Sequence, residues 1–497
     1  MQELHRATPR TRRAHRFSLL LLTSLSIGLA RPAQAEWTAL AGLQRSGAVV
    51  TAAAIDLDNG AVIQQLDGSH RLTPASLTKL AVAATALDVW PADKTFQTRV
   101  LGVGPFASGK IKGDLIFQSG DSTLDHQALW SLAAQLKGAG VTQVSGKLLV
   151  NTAPFGPLGC ETKDRCDALR KSDTAYNAPL SAVGVDYGNW CVDVRSTATG
   201  EPALVSGCGV AKLPIPIDGS IKTVGATENP TYWIERVTDD DGDRLRVGGA
   251  IPLGGAQSMY RAMSDGALGV GLLLKETLDE MNIKVDGNVE LSRDPVSASA
   301  YPLAVIDGLS LKEQLGRMLR FSNNYIADML TLNLAAAESP KSAGPLSEAA
   351  KTLSEFVGRA SVKAGKPAGD GPPLFSGSGL TPENLLSADD LTGLLAAQYR
   401  NTRKFPAFYG GLVVPREAPF AFLRVGSPAW LDRVALKTGT MDDPHSVAGI
   451  AGYVRKKDGG WIAFAAIVNG GPRMMHVPLY KSMEAMRADI DALLARY

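Results

Sequence analysis

Histidine is scarce in this 497-residue sequence, and the few histidines form no familiar pattern. Only His70, His126, His445 and His476 lie beyond residue 35, and none belongs to an H-E-x-x-H or H-x-x-E-H pattern. A G-x-S-x-G turn around a serine is absent as well. These absences argue against a histidine-rich metal site and against a serine hydrolase whose base is a histidine. A histidine-rich metal site is therefore not expected.

Long runs of like charge are also absent. Residues 1–35 hold six of the arginines and a single acid, so 45 of the 51 basic and 48 of the 49 acidic side chains lie after residue 35. That part of the chain is close to neutral. Because nucleic acids and anionic lipids bind strongly basic surfaces, we expect no nucleic-acid binding and either no membrane association or a peripheral one.

The longest apolar stretch lies near the N-terminus, at 17–29, and an A-x-A sequence ending at Ala35 follows it. A basic start, a short apolar stretch and an A-x-A end are typical of a secretory signal peptide. The stretch is shorter than the roughly 20 residues that span a membrane. We predict a signal peptide over 1–35 that is cleaved before Glu36, with an uncleaved anchor as the alternative. The Arg12-Arg13 pair is a weak indication of twin-arginine export.

The four cysteines lie within one window of about fifty residues, as expected for an exported chain with disulfides. Three pairings are open to four cysteines. We predict Cys160 with Cys166 and Cys191 with Cys208, because these pairs close the shortest loops. A zinc site formed by all four thiolates is the alternative, although no C-x-x-C pattern supports it.

Strand signals occur at both ends of the chain after the leader. Apolar runs flank the turn residues Asn59-Gly60, the strongest short hairpin signal, and a second hairpin is expected over 446–469. Thr73 and Pro74 favour the start of a helix, with Thr73 as its N-cap. Since strands from both chain ends can pair, we predict a continuous host domain formed by 36–97 and 300–497.

The residues between these two segments form a predicted insertion. It is rich in glycine, holds all four cysteines and contains a weak internal repeat of a helix followed by V-x-G-x-[LV]-x-[LV], at 144–150 and 285–291. We assign 98–190 and 251–299 to an inserted α+β domain and 191–250 to a small β domain nested within it. The acidic turn at 239–243 lacks the register of a calcium loop and is interpreted as a hairpin turn.

Three short motifs carry the chemistry, in the order Ser76-x-x-Lys79, Ser322-x-Asn324 and Lys437-Thr438-Gly439-Thr440. Ser76 and Lys79 lie three residues apart at a predicted helix start, so the lysine amine can reach the serine hydroxyl. A second lysine and burial would both favour the neutral amine that a base requires. The plainer interpretation is a capping serine beside a solvated lysine.

The other two motifs complete the hypothesis. Ser322 lies at a break between predicted helices, where its hydroxyl can relay a proton while the Asn324 amide binds substrate. The alternative is that both cap the next helix. Gly439 allows a close approach of another backbone, and the Thr440 N–H can join that of Ser76 as an oxyanion hole. A plain strand end is the alternative for this segment.

The motifs and their order resemble the penicillin-recognising serine acyl enzymes, most closely the class C low-molecular-mass penicillin-binding proteins of the DacB type, which are D-alanyl-D-alanine carboxypeptidases and endopeptidases. The resemblance covers most of the mature chain: PASLTK at 74–79, GDLIF at 113–117, GD at 120–121, SNNYIAD at 322–328, GSGL at 377–380, KTGT at 437–440, AGYV at 451–454 and VN at 468–469. The large insertion after the first motif is similar to that family too. Ser376 and the segment 441–445 depart from its pattern.

The resemblance implies a multi-domain α/β fold, with a transpeptidase/β-lactamase-like host domain whose five-stranded antiparallel sheet is flanked by helices. It implies periplasmic hydrolysis of peptidoglycan stem peptides through an acyl-enzyme, without a metal or an organic cofactor, and covalent inhibition by β-lactams. The roles it implies are nucleophile for Ser76, general base for Lys79 and proton relay for Ser322. Substrate contacts fall to the remaining motif residues, Asn324, Lys437, Thr438, Gly439 and Thr440.

Two other functions stay open from the sequence. A β-lactamase would need rapid deacylation, and no E-x-x-L-N follows Ser322 to resemble a class A water-activating glutamate. A non-catalytic wall-binding module is the alternative of another class, and the intact motifs argue against it. The sequence does not decide between carboxypeptidase and endopeptidase action, nor whether the chain forms a homodimer.

Overall fold

The computed structural model describes residues 37–156, 158–338, 344–363 and 371–497. The predicted signal peptide and its cleavage point lie outside the described residues. No helix in the described ranges combines the length and the apolar character needed to cross a membrane.

Both ends of the described chain meet in one five-stranded antiparallel sheet, as predicted. Its strands follow the spatial order Val62–Leu66, Val49–Asp56, Trp461–Asn469, Val447–Arg455 and Val434–Met441. The predicted hairpins at Asn59-Gly60 and near Gly459 connect neighbouring strands of this sheet. The strand that carries the third motif, Val434–Met441, lies at one edge.

The central strands are apolar on both faces because helices cover both sides of this sheet. On one side Val50, Ala52 and Ala54 share a core with the helices Thr38–Arg45 and Leu479–Arg496. On the other side Ala53 shares a core with most of the remaining helices. Burial of both faces explains why the strand reads as a continuous apolar run without alternation.

The helices around this sheet hold the first two motifs. The α-helices are Thr38–Arg45, Lys79–Val89, Leu311–Arg320, Asn324–Glu338, Leu346–Ala349, Lys351–Lys363, Ala388–Tyr399, Phe405–Gly410, Pro428–Arg433 and Leu479–Arg496. Short 3-10 turns occur at Ala75–Thr78, Pro415–Glu417 and Ala421–Leu423.

The predicted helix start at Thr73 and Pro74 is wrong. A 3-10 turn begins at Ala75 and the α-helix begins at Lys79, with no side-chain cap at either start. The Thr73 hydroxyl instead donates to the Pro382 carbonyl at 3.0 Å. The turn is tight because Ala75 has a φ of +46°, a left-handed conformation that costs a non-glycine residue energy and is frequent at functional sites.

The described residues of the segment 97–307 fold into five further sheets. Its helices are His126–Gly138, Lys163–Asp167 and Gly266–Glu280. Its strands are Gln97–Gly102, Phe106–Ala107, Lys110–Ile111, Leu115–Ser119, Gln143–Val144, Leu148–Asn151, Lys171–Ser172, Asn189–Arg195, Leu204–Gly207, Ile217–Gly219, Lys222–Val224, Trp233–Asp239, Gly242–Gly248, Ala250–Pro252, Ala256–Ala262, Lys284–Val285, Val289–Ser292 and Tyr301–Asp307.

The internal repeat corresponds to strands that lie side by side. Val144 pairs with Val285 and Leu148 with Val289, both in parallel register, so the two sequence copies align residue for residue. A further copy, at 111–115, pairs with the first in the same way. At the centre of each copy is a glycine, and a Cβ on Gly146 or Gly287 would lie 2.5 Å from the carbonyl of the preceding copy. The three copies therefore lie side by side, and their backbones come closest at the glycines.

One large apolar core fills this segment. It includes Val100 and Leu115 from its beginning, Val192 and Leu245 from its middle, and Leu274 near its end. The acidic turn is a hairpin, because Asp239 pairs with Gly242 between two antiparallel strands. Disulfides join Cys160 to Cys166 and Cys191 to Cys208, the pairing expected from their spacing.

Candidate active site

Ser76 and Lys79 lie in contact at the junction of the 3-10 turn and the helix Lys79–Val89. The Lys79 amine is 2.9 Å from the Ser76 hydroxyl oxygen. The residues around Ser76, from Leu72 to Leu80, are buried, whereas Ser76 itself is partly exposed. The turn therefore presents one hydroxyl to solvent with a buried amine behind it.

The Lys79 amine has three hydrogen-bond partners: the Ser76 hydroxyl, the Asn324 side-chain oxygen at 2.8 Å and the Ser378 carbonyl at 2.6 Å. The last two can only accept. A neutral amine would donate its two protons to them and keep its lone pair for the serine hydroxyl proton. This is the arrangement that a general base beside a nucleophile requires.

Burial lowers the pKa of Lys79 well below its ordinary value, and the positive charge of Lys437 lowers it further. The Asp328 carboxylate raises this pKa, and the Arg165 guanidinium lowers it. The side chain is fully buried. Desolvation penalises the ammonium form, so the site favours a neutral Lys79 near neutral pH.

Ser322 and Asn324 enter the site at a strained turn between two helices. Ser322 has a φ of +56°, which ends the helix Leu311–Arg320 sharply. The next helix is capped by Asn323, whose side-chain oxygen accepts the Ile326 N–H at 2.9 Å. The middle residue of the motif thus does the capping, and the Ser322 and Asn324 side chains contact the two lysines.

Lys437 contacts the second serine. Its amine donates to the Ser322 hydroxyl at 2.9 Å and to the Thr438 carbonyl at 2.6 Å, and its side chain is 1% exposed. Burial lowers the pKa of Lys437 from its ordinary value to about 7. The site therefore contains two serine–lysine pairs, which the Coulomb interaction between the two amines couples.

Beyond Leu436, no strand of the described residues pairs with the third motif on the outer edge of the central sheet. Leu436 exchanges two backbone hydrogen bonds with Val413 on the side away from the neighbouring strand. Because backbone groups alternate along a strand, those of Thr438 and Thr440 point to the same free edge. Thr440 lies next to Ser76 in the wall of one cleft. The edge can therefore accept an extended peptide by strand addition.

Gly439 fits the close approach expected of it, with a different partner. A Cβ at this position would lie 2.4 Å from the Pro74 carbonyl and 3.2 Å from the Leu77 nitrogen. The backbone that approaches the glycine is thus that of residues 74–78, which include Ser76 and are called the serine turn below. Gly439 sets the distance between the nucleophile and the edge strand.

The Gly377-Ser-Gly-Leu segment provides site contacts that were missing from the predicted set. Ser378 contributes only its backbone carbonyl to Lys79, a group that the residue type does not reveal. Gly379 has a φ of +75°, and a Cβ there would lie 2.0 Å from the Ala75 carbonyl. Ser376, one of the departures from the family pattern, accepts the Gly379 N–H at 3.1 Å. The loop thus packs against the serine turn.

The cleft above these groups has a volume of about 390 Å³. All three motifs reach it, through Ser76, Ser322, Asn324 and Thr440. Its remaining lining is Asp164, Tyr176, Gly379, Leu380, Met441, Asp442 and Asp443. Asp164 and Tyr176 come from the segment 97–307. They were not predicted, because no motif marks them and only tertiary folding brings them here.

The described residues include no cluster of three or more histidine, cysteine, aspartate or glutamate side chains suited to a metal ion.

Comparisons with known proteins agree with this geometry. The model of the D-Ala-D-Ala carboxypeptidase 3 (S13) family matches residues 38–496. A D-alanyl-D-alanine carboxypeptidase from Actinomadura sp. (strain R39) is 29% identical over 448 residues, which is 87% of this chain and 80% of that protein.

The fold is similar to that of penicillin-binding protein 4 (DacB) from Haemophilus influenzae, at a TM-score of 0.71 and 22% identity over 92% of this chain and 99% of that one. A structure of the same Haemophilus protein in complex with a β-lactam has a TM-score of 0.68 at 21% identity, with the same coverage. These likenesses confirm the predicted fold class.

Proposed function

Because the chain belongs to the D-Ala-D-Ala carboxypeptidase 3 (S13) family, we propose that it hydrolyses D-alanyl-D-alanine bonds of peptidoglycan stem peptides through an acyl-enzyme on Ser76, and that β-lactams acylate the same serine. The observation that carries this proposal is the 2.9 Å contact between the buried Lys79 amine and the partly exposed Ser76 hydroxyl.

The acylation step follows from the contacts of Lys79. The neutral amine takes the Ser76 proton while the serine oxygen bonds to the carbonyl carbon of the penultimate D-Ala. The oxyanion that forms is held by the backbone N–H groups of Ser76 and Thr440. Lys437, as an ammonium, favours both the neutral form of Lys79 and the developing negative charge.

Release of the leaving group uses the second serine. Ser322 donates its hydroxyl proton to the departing amine as the carbon–nitrogen bond breaks, and it takes a replacement proton from the Lys437 ammonium in contact with it. The proton that Lys79 took from Ser76 then passes to Lys437, which returns Lys79 to its neutral form. The products are the acyl-enzyme and a free amine, either D-Ala or the cross-linked residue of a second stem peptide. Water then attacks the ester carbonyl while the neutral Lys79 amine accepts the water proton. The bond from the acyl carbon to the Ser76 oxygen breaks, Lys79 returns the proton to this oxygen, and the shortened peptide leaves as a carboxylate.

The lining of the cleft favours a positively charged substrate group. It contains the carboxylates of Asp164, Asp442 and Asp443, and among its described residues there is no arginine or lysine side chain. The exposed ring of Tyr176 lies beside them. This composition supports a stem peptide whose third residue carries a free side-chain amine, with the ring covering its aliphatic part.

The proposal includes export of the chain to the periplasm by its leader. The apolar stretch at 17–29 and the two disulfides support an oxidising compartment outside the cytoplasm. The substrate is part of the cell wall and is available only there. The domain assignment from the sequence is retained, with 36–97 and 300–497 forming the catalytic unit.

The experiment that tests the function measures products from two substrates. The purified protein is incubated with a lysine-containing pentapeptide that ends in D-Ala-D-Ala, and with purified sacculi, and products are identified by mass spectrometry. We expect loss of terminal D-Ala and cleavage of cross-links by the wild type, and neither by Ser76→Ala. Release of D-Ala that is unchanged in Ser76→Ala would refute Ser76 as the nucleophile.

A matched peptide tests the substrate part of the proposal. In this peptide the lysine side chain is Nε-acetylated, which removes the charge and keeps the aliphatic part. We expect kcat/KM to fall by about two- to fivefold, the size of an exposed ionic contact, and Asp443→Asn to reduce the difference between the two peptides. Equal rates for both peptides would refute recognition of the amine.

A further inference from the structure

A buried ion pair lies one contact beyond the catalytic groups. The Arg165 guanidinium donates to the Asp328 carboxylate at 2.6 Å, and neither side chain is exposed to solvent. Arg165 lies in the short helix Lys163–Asp167, and Asp328 lies in the helix Asn324–Glu338 that begins at the second motif. The pair joins residues that are 163 positions apart in sequence.

Asp328 connects this pair to the general base through one residue. Its other carboxylate oxygen accepts the Ser378 N–H at 2.7 Å. The Ser378 carbonyl in turn accepts a proton of the Lys79 amine at 2.6 Å, and Lys79 contacts Ser76. The path from Arg165 to the nucleophile therefore has four hydrogen bonds, all of them buried or partly buried.

The partners at both ends of this path are held in place. The Asn384 side-chain oxygen accepts the N–H groups of Phe375 and Ser376, which fixes the loop before Ser378. At the other end, the Cys160–Cys166 disulfide closes the turn that carries Arg165, and the guanidinium also donates to the Ala178 carbonyl. Neither Ser378 nor Arg165 can move without breaking buried contacts.

We propose that Arg165 and Asp328 are positioning residues for the reaction, which hold the Ser378 carbonyl and, through it, the Lys79 amine against the Ser76 hydroxyl. The inference rests on the proposed function of Lys79 as general base. The segment 97–307 then contributes to catalysis, because it provides the Arg165 guanidinium that balances the Asp328 charge.

Three charged groups act on Lys79 from the elements packed around it. Lys437 on the edge strand and Arg165 on the short helix lower the pKa of Lys79, and Asp328 on the helix after the second motif raises it. Removing one member of the ion pair leaves the opposite charge of the other uncompensated near Lys79. Arg165→Met should therefore raise the pKa of Lys79, and Asp328→Asn should lower it.

The experiment follows the second-order rate constant for acylation by a fluorescent penicillin as a function of pH. Its acidic limb reports the pKa of the essential base in the free enzyme. We expect this limb to move to higher pH by about one unit in Arg165→Met and to lower pH by about one unit in Asp328→Asn. In the double variant, which has lost both charges, the limb should return close to its wild-type position.

The controls separate this effect from general loss of stability. Lys456→Met and Asp56→Asn disrupt another largely buried ion pair, with side chains 8% and 10% exposed, on the central sheet. We expect lower thermal stability from them and no change in the pH profile. If single variants fail to fold, the double variant tests the positioning role through the plateau of the profile, since replacing both charges is better tolerated than removing one. We expect its plateau rate constant to lie below that of the wild type, because the Ser378 carbonyl has lost the support of the ion pair, and a wild-type plateau would refute the positioning role.

Two results would overturn the inference. Shifts in the same direction for Arg165→Met and Asp328→Asn, or no shift in either while the wild type is acylated at Ser76, would show a purely structural ion pair. Failure of the proposed function gives a different result, since the wild type itself would then not be acylated at Ser76.

Discussion

Two buried lysines in one site have contacts that suit different protonation states. Lys79 has two acceptor-only partners and a serine, which suits a neutral amine, whereas Lys437 contacts Ser322 and a carbonyl. Burial lowers the pKa of both residues. Because charge on one amine disfavours charge on the other, the pair should titrate together, with the first proton lost from Lys79.

Lys437 should reduce the stability of the folded protein while supporting catalysis. Its folded pKa is about 7, below the ordinary value of 10.5, so the unfolded chain binds more protons between these pH values. The destabilisation is full below about pH 7 and disappears as the pH rises through 10.5. We predict that Lys437→Met lowers the acylation rate about 100-fold or more and raises the free energy of unfolding at pH 7 by a few kcal/mol.

Chemical denaturation at pH 7 and pH 10 measures this effect, since the stability gain of Lys437→Met should shrink at the higher pH. Lys456→Met is the matched control. Burial lowers the pKa of Lys456, but its hydrogen bonds with Asp58 and Asp56 raise it on balance. That variant should be less stable than the wild type. A stability gain of Lys437→Met over the wild type that is larger at pH 10 than at pH 7 would contradict this prediction.

At this scale the sequence predicted side chains well and backbone groups poorly. The spacing of Ser76 and Lys79 on one turn was sufficient to predict their contact. Asn323 was missed as the capping residue because any residue of the motif could have capped the helix. The Ser378 carbonyl was missed because every residue has one, and only the fold decides which carbonyl meets an amine.

At the scale of elements, the edge strand Val434–Met441 and the serine turn are separated by a glycine only. Gly439→Ala would place a Cβ 2.4 Å from the Pro74 carbonyl, so the strand must move away from Ser76. We predict a loss of acylation of about tenfold or more, with a loss of stability of about 1–3 kcal/mol. Thermal unfolding and penicillin acylation measure the two effects.

Gly316→Ala provides the control for this variant. Gly316 lies within the helix Leu311–Arg320, and a Cβ there would meet no atom within 4 Å. Alanine is the better helix former, so we expect a gain of about 0.5–1 kcal/mol and unchanged acylation. Equal acylation by Gly439→Ala and wild type would show that the spacing of strand and turn has no role.

Elements with strong local signals were predicted, and those set by tertiary contacts were not. The hairpin at Asn59-Gly60 and the repeat strands near Gly146 and Gly287 have turn residues or periodicity that identify them. The helix start at Thr73 was misplaced because Thr73 hydrogen-bonds to Pro382, a residue distant in sequence. The third copy of the repeat was missed because it begins with Ile111 in place of a valine and follows a short hairpin, whereas the other two copies follow a helix.

At the scale of the whole molecule, the segment 97–307 contributes residues to the candidate site. It lines the cleft with Asp164 and Tyr176 and reaches the general base through Arg165. The sequence predicted that this segment is an insertion, but not which of its residues face the site. Such contacts depend on tertiary packing between residues that are distant in sequence, which local patterns do not encode.

In the proposed mechanism the Lys79 amine activates Ser76 to form a covalent acyl-enzyme. The most direct measurement is mass spectrometry of the quenched protein after brief exposure to penicillin, with peptide mapping of the modified residue. The account predicts one acyl group per chain, on the peptide that contains Ser76, slow hydrolysis of this adduct and strongly reduced labelling of Lys79→Met. Labelling of another residue, no labelling of the wild type, or rapid steady turnover of penicillin as by a β-lactamase would contradict it.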